Sequence, residues 1–478
     1  EITTRLVGSE MCIRDRSYME LSNTHLWSLA ITLLITLLPG IIISRKVKSS
    51  DDYNVGGRSA GAGMVAGSII GTIIGGASTV GTAQLGFKLG LTAWWFTLGS
   101  GIALLLMAFF YAAPLRQSKL TTIAEFLVLN YGKPAGWIAI FSSCAGIFFS
   151  IVSSTLTGLH LLAGLFQVTL PVAAVLILVI TAGFVFFGGI SGSGMAGIMK
   201  MLVIFATIFV GGFWAFQDMG GVSGMHTLFP EQHWFSLMGN GREDALFCLG
   251  AMIIGVISTQ TYIQALFSAK DSRTATIGCS VAALIVIPVG LPSVVIGMFM
   301  HLHHPEINSI DALPMYLTMY LPPWLGGMGL AGVLLSALSS IAGLSLGVGT
   351  LISQDIIRKL WCNARAATLL WASRFTVLTV TCLAIVFVFL HLDSTILSWN
   401  YLSMALRGSA IFLPLTFCIM HPGRIRASMG VASMGAGVFA ALFWDHISSW
   451  HIHSLFPALI YNLIFLLAGL FWGESEKS

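Results

Sequence analysis

Apolar residues fill this chain in long blocks, each long enough to cross a bilayer as a helix and separated from the next by a polar connection. Thirteen blocks can be marked, at about 25–44, 62–87, 91–113, 135–166, 170–190, 195–216, 244–269, 275–301, 325–352, 367–391, 395–418, 427–445 and 454–472. The pattern predicts an all-α integral membrane protein of about 13 transmembrane helices. Most connections are short; the long ones, 217–243 and 301–324, are polar and hold acidic residues and histidines. Residues 1–18 are polar, carry Arg5, Arg14 and Arg16, and precede Met19. They are expected to be a disordered or misassigned extension, with residues 19–478 forming a single transmembrane domain.

Only 9% of the 478 residues are charged and 56% are hydrophobic, with a mean hydropathy of +0.89. A soluble chain of this length could not cover its surface with so few charges. The net charge of +4 says little about partners, but the placement of charge fixes an orientation. With the N-terminus outside, the cytoplasmic connections hold Arg45, Lys46, Lys48, Arg58, Arg116, Lys119, Lys133, Lys270, Arg273, Arg358, Lys359, Arg365, Arg424, Arg426 and Lys477. That is fifteen cations, against two outside, Lys88 and Arg242. This asymmetry predicts a multi-pass protein of the plasma or inner membrane with a cytoplasmic C-terminus. Seven cysteines show no metal-binding spacing and read as small buried hydrophobes.

The second block is uncharged but weak as a helix in its middle. Gly75 and Gly76 adjoin there, followed by Ala77, Ser78 and Thr79, and each glycine costs a helix about 1 kcal/mol against alanine. Inside a membrane, broken backbone survives only where it is buried in protein or lines a polar cavity, which makes such a stretch a candidate binding site. Gly67, Gly71 and Gly75 also form a small-xxx-small ladder, so close helix packing accounts for the same glycines.

In the ninth block, Ser336, Ser339, Ser340 and Gly343 share one helix face. Two adjacent hydroxyls beside a broken helix with freed carbonyls make an all-oxygen site of low charge, suited to a monovalent hard cation such as Na⁺. Serines in membrane helices also bond back to their own helix carbonyls, which is the simpler explanation.

The run Ser50-Asp-Asp-Tyr53 with Gly56-Gly-Arg58 resembles the entrance segment of the sodium:solute symporter family. So do Gly90-Leu-Thr-Ala-Trp94-Trp95-Phe96, Gln264-Ala-Leu-Phe-Ser-Ala-Lys270-Asp271, and Ser339-Ser340 with Asp355-Ile356. Their order and spacing match over roughly residues 50–420. The resemblance implies the leucine-transporter fold, with spans 2–6 and 7–11 as two inverted five-helix repeats, one extra N-terminal helix and two extra C-terminal helices. It also implies a Na⁺ site of backbone carbonyls at Gly71, Ile74 and Ser336 and hydroxyls at Ser339 and Ser340. Members of the family often carry an aspartate where this chain has Gly197, and those with a second sodium use hydroxyls where it has Ala342 and Gly343. One Na⁺ per cycle is therefore expected.

Lys200 lies in the sixth apolar block. At the bilayer centre a lysine costs about 3 kcal/mol, so it should snorkel to the surface or face the interior. Snorkelling is the plainer expectation; the sharper one is that its ammonium occupies or competes for the cation site and couples transport to protons. The solute is expected between the broken second span and the seventh, against Gly75, Gly76, Ala77, Ser78, Thr259 and Gln260. Ile73, Ala77, Met252 and Gly255 stand where sugar-carrying relatives are polar, so a sugar is not the expected solute. Arg407 falls in the middle of the eleventh span. Its guanidinium fork suits a carboxylate or amino acid, and a structural pairing with backbone carbonyls is the alternative.

His160 reads as a core histidine, and His301, His303, His304 and Glu306 as a solvated loop rather than a metal site. Trp94 and Trp95 read as interface anchors. With no acid–base dyad or metal cluster in any span, an enzyme is not expected. The sequence thus points to sodium-coupled symport of a small organic solute, with Na⁺ as coupling ion, no other cofactor and no nucleic-acid partner. A proton-coupled carrier using Lys200 and a solute-sensing transceptor are the alternatives.

Overall fold

In the computed structural model, the described residues are 21–44, 56–187, 189–361, 365–447 and 453–473. The expected N-terminal extension and the Ser50–Tyr53 motif lie outside them. The longer helices are α1 (Asn23–Ser44), α2 (Ala62–Ile73), α3 (Thr82–Leu89), α4 (Trp95–Leu106), α5 (Lys133–Phe166), α6 (Leu170–Phe187), α7 (Gly189–Ile204) and α8 (Val210–Asp218). They continue as α9 (Arg242–Ile257), α10 (Gln260–Ser268), α11 (Ser272–His303), α12 (Pro323–Thr350), α13 (Ala366–Phe389), α14 (Ile396–Met420), α15 (Ala427–Ile447) and α16 (Leu455–Gly473). Each apolar block of the sequence falls on one of these helices or on a consecutive pair. By length and composition eight helical stretches among the described residues could cross a membrane, or nine with the bent pair α9–α10 counted as one. Those residues hold no strand, only an isolated bridge between Ala60 and Ala269.

The bundle is built around α12. Of its most apolar window 94% is buried, against 28% for the windows in α13 and α15. Burial on all sides requires a helix without charge and with small residues that admit its neighbours. The α12 sequence, rich in Gly, Ala and Ser, meets both conditions.

Two spans are interrupted. Helix α2 ends where Ile74 turns to ψ 80°, and the chain resumes as a π turn over Ala77–Gly81 before α3. The second interruption separates α9 from α10 with a bend of 43°. The polar run Ser258-Thr259-Gln260-Thr261 marks it, yet with no proline and no adjacent glycine pair the block reads in sequence as one continuous span.

Near the ends of both broken spans, the Ala60 N–H donates to the Ser268 carbonyl at 3.0 Å and the Lys270 N–H to the Ala60 carbonyl at 3.1 Å. Arg116 adds a bond from Nε to the Ala269 carbonyl. Asp271 then caps α11 by accepting from the Thr274 N–H at 2.7 Å, which holds its carboxyl below the usual range.

Trp94 and Trp95 are engaged by protein at their polar tips. Their indole N–H groups donate to the carbonyls of Ile287 at 2.9 Å and Leu237 at 2.6 Å, tying the start of the third span to protein. A short helix, Ile123–Tyr131, carries a reciprocal capping box between Thr122 and Glu125. Thr122→Ala is expected to lower stability by about 1 kcal/mol, read as a reduced midpoint of thermal unfolding in detergent.

Candidate functional site

The break in the second span releases a carbonyl. In a continuous helix the Gly75 N–H would donate to the Gly71 carbonyl; here it donates to Ile73 at 2.9 Å instead. Helix α12 brings its serine face to this spot. The Ser340 hydroxyl donates to the Thr72 carbonyl at 3.1 Å and approaches the Gly71 carbonyl at 3.5 Å. The Ser339 hydroxyl is 3.4 Å from the Ser336 carbonyl, and the Ser336 hydroxyl is buried without a partner. Gly75 allows this approach, since a methyl group there would overlap the Ser340 side chain.

Helix α7 closes the third side. A methyl group at Gly197 would overlap the Gly67 carbonyl, and one at Gly67 would overlap the carbonyl of Gly194. The small-residue ladder is thus a true backbone contact between α2 and α7. It also explains why Gly197 can carry no aspartate in this arrangement. The charge comes from one turn further along: Lys200 Nζ donates to the freed Gly71 carbonyl at 2.7 Å and to Ser339 Oγ at 2.8 Å. Lys200 does not snorkel; it is 0% exposed. Its stem lies on the face of α7 that packs against α2 and α12. Gly71, Ser336, Ser339 and Ser340 therefore meet in one place, with Lys200 among them, and Ile74 lies buried at the adjoining helix end.

The expected solute contacts do not converge in the same way. The hydroxyls of Ser78 and Thr79 both donate to the Gly75 carbonyl, at 3.0 and 2.9 Å. Gly76 presses on Thr157 of α5, and Ala77 is buried beside it. The Thr259 hydroxyl donates to the Gly255 carbonyl at 2.6 Å. Gln260 turns to the short helix, accepting from the Ile123 N–H at 2.9 Å and donating to the Thr121 carbonyl at 3.3 Å. It acts there as a strut between elements and does not join the others.

Arg407 is held elsewhere, between α14 and α5. Gly146 lets the helices approach until a side chain there would touch the Ser403 carbonyl. Arg407 Nη2 donates to Ser150 Oγ at 2.9 Å and Ser403 Oγ at 2.8 Å, while Nε and Nη1 are buried without partners. The three ion pairs among the described residues involve other groups, so no carboxylate neutralises it. The hydroxyls belong to a polar seam that includes Asn400 and Ser153. Sequence reading missed this seam, although Ser142, Ser143, Ser150, Ser153, Ser154 and Thr157 repeat on α5 at helical spacing. Among the described residues no group of three or more His, Cys, Asp or Glu is arranged to hold a metal ion. His304 is instead shared with Glu306 at 3.3 Å and the Tyr320 hydroxyl at 2.9 Å.

A model of the sodium:solute symporter family matches residues 53–437. The osmoregulated proline transporter of Bacillus subtilis is 24% identical over 464 residues, covering 91% of this chain and 92% of that protein. A sodium/proline symporter of Staphylococcus aureus is 23% identical, covering 91% and 90%. A high-affinity choline transporter of Drosophila melanogaster is 22% identical over 75% of this chain, which spans only 61% of that transporter's length. Among solved structures, a Na⁺-coupled sialic acid symporter in its substrate-bound outward-open state superposes with a TM-score of 0.77 at 17% identity. It covers 95% of this chain and 98% of its own. A nucleobase-cation-symport-1 family transporter follows at 0.59 and 13%, covering 88% and 94%.

Proposed function

The chain belongs to the sodium:solute symporter family, and from that premise we propose that it carries a small organic solute across the membrane by alternating access, driven by one Na⁺ per cycle. The coupling ion is held where α2 breaks against α12, by the carbonyls of Gly71, Ile74 and Ser336 and the hydroxyls of Ser339 and Ser340. One observation carries this reading: a single positive charge, the Lys200 ammonium, is bound there by oxygen dipoles alone. A site with that charge balance suits a monovalent ion and would underfill a divalent one.

The wider arrangement belongs to the same proposal. It comprises thirteen spans, inverted repeats over spans 2–6 and 7–11, an outside N-terminus and residence in the plasma or inner membrane. A tenfold inward Na⁺ gradient supplies about 1.4 kcal/mol, and a potential of about 100 mV adds about 2.3 kcal/mol. One ion can therefore support roughly few-hundredfold accumulation of a neutral solute. The relatives named for proline and choline motivate testing small amino acids and quaternary amines first. The buried, unneutralised Arg407 adds small carboxylates to that set.

The double variant Ser339→Ala, Ser340→Ala is expected to raise the Na⁺ concentration for half-maximal thermal stabilisation severalfold against a K⁺ control. An unchanged midpoint would remove the serine pair from the site.

A further inference from the structure

Resting on the reading of the serine pair as a Na⁺ site, we propose that Lys200 is a tethered competitor for it, and that this side chain sets how tightly the chain holds Na⁺. Lys200 Nζ binds Gly71 O at 2.7 Å and Ser339 Oγ at 2.8 Å. An ion ligated by the same two oxygens would occupy the volume of the ammonium itself. The two cations therefore exclude each other by space and by charge.

No other charge relieves the conflict. Lys200 makes none of the three ion pairs among the described residues. Of the elements packed on α7, the helices α2, α6 and α12 carry no titratable side chain. Helix α1 contributes His25, whose Nδ1 lies 2.8 Å from the Ser22 hydroxyl, and the Gly56–Arg58 turn contributes another cation. The oxygen dipoles at the break thus balance one positive charge, and adding a second would leave it unneutralised in a low-dielectric interior. The lysine cannot simply stand aside, because it is 0% exposed and its helix lies backbone against backbone on α2 through Gly67 and Gly197. Na⁺ entry requires that Lys200 give up both oxygens, and the work of moving it weakens the apparent affinity for the ion.

The competitor can be removed and the site left in place. Equilibrium binding of radiolabelled Na⁺ to the purified full chain, with K⁺ holding ionic strength constant, reads the result directly. Lys200→Met and the more polar Lys200→Gln are each expected to bind Na⁺ at least about tenfold more tightly than the parent. Adding Ser339→Ala to either variant should reverse the gain, which locates the ion at the shared oxygens. A Na⁺ affinity equal to or weaker than the parent's in both folded variants overturns Lys200 as competitor and leaves the sodium site standing. Absence of Na⁺ binding in the parent and in both variants removes the sodium site itself, a separate failure.

Discussion

Gly197→Leu is expected to abolish transport and to destabilise the protein by about 3 kcal/mol or more, at the upper end for overpacking. The position has no Cβ because the Gly67 carbonyl and the Gly71 Cα occupy that space. Both obstacles are backbone, so no rotamer change can make room, and α7 must move away from α2. That movement draws Lys200 off the Gly71 carbonyl and Ser339, so stability and the lysine's hold on those oxygens are lost together. Thermal unfolding of the purified variant, with Na⁺ and with K⁺, checks both parts. Gly63, whose Cβ would meet nothing within 4 Å, supplies the control, since Gly63→Ala should leave the melting temperature unchanged or slightly raised. A Gly197→Leu protein with parental stability would mean that the two helices do not touch at this point.

Arg407→Met is expected to separate stability from function. Two of the three guanidinium nitrogens are buried without partners and no carboxylate faces them. An ionised group at mid-span costs about 2.5–3.5 kcal/mol on insertion scales. Removing it strands nothing, because Ser150 and Ser403 remain 2.7 Å apart and bonded to each other. Methionine fills much of the same volume with an unbranched stem. The variant should therefore melt at or above the parental temperature without solute, and should lose any stabilisation that a small carboxylate confers in Na⁺. At about one hundred times Kd that stabilisation is worth about 2.7 kcal/mol, a readily measured shift. A carboxylate that stabilises both proteins equally, or a variant that unfolds early, would make Arg407 a structural residue of the α5–α14 seam.

Much of the geometry of the proposed cation site was legible in the sequence, because its parts are written locally. Adjacent glycines weaken a helix, and Gly75 and Gly76 mark the weak point of the second span, although the pairs Gly211-Gly212 in α8 and Gly326-Gly327 in α12 remain helical. Helical periodicity put Ser336, Ser339 and Ser340 on one face, and the structure keeps them there. The solute region was less legible. Ser78, Thr259 and Gln260 are polar in a way that suggests a pocket, yet each is spent on nearby backbone. A side-chain oxygen looks the same in sequence whether it serves a ligand or the turn beside it.

By itself, then, the sequence determined what depends on composition and on neighbours along the chain. It gave the membrane class, the apolar spans, the weak point in the second span and the presence of charges within apolar spans that must be accommodated. Only the tertiary structure decided where those charges go. Lys200 had a choice between the surface and the interior, and contacts between residues more than a hundred positions apart closed the first route. The bend at Ser258–Thr259 was likewise not fixed by any proline in the span, and only the folded chain shows its 43° angle. Local propensity is fixed by a few residues, whereas the destination of a buried cation is fixed by which oxygens the folded chain leaves free to receive it.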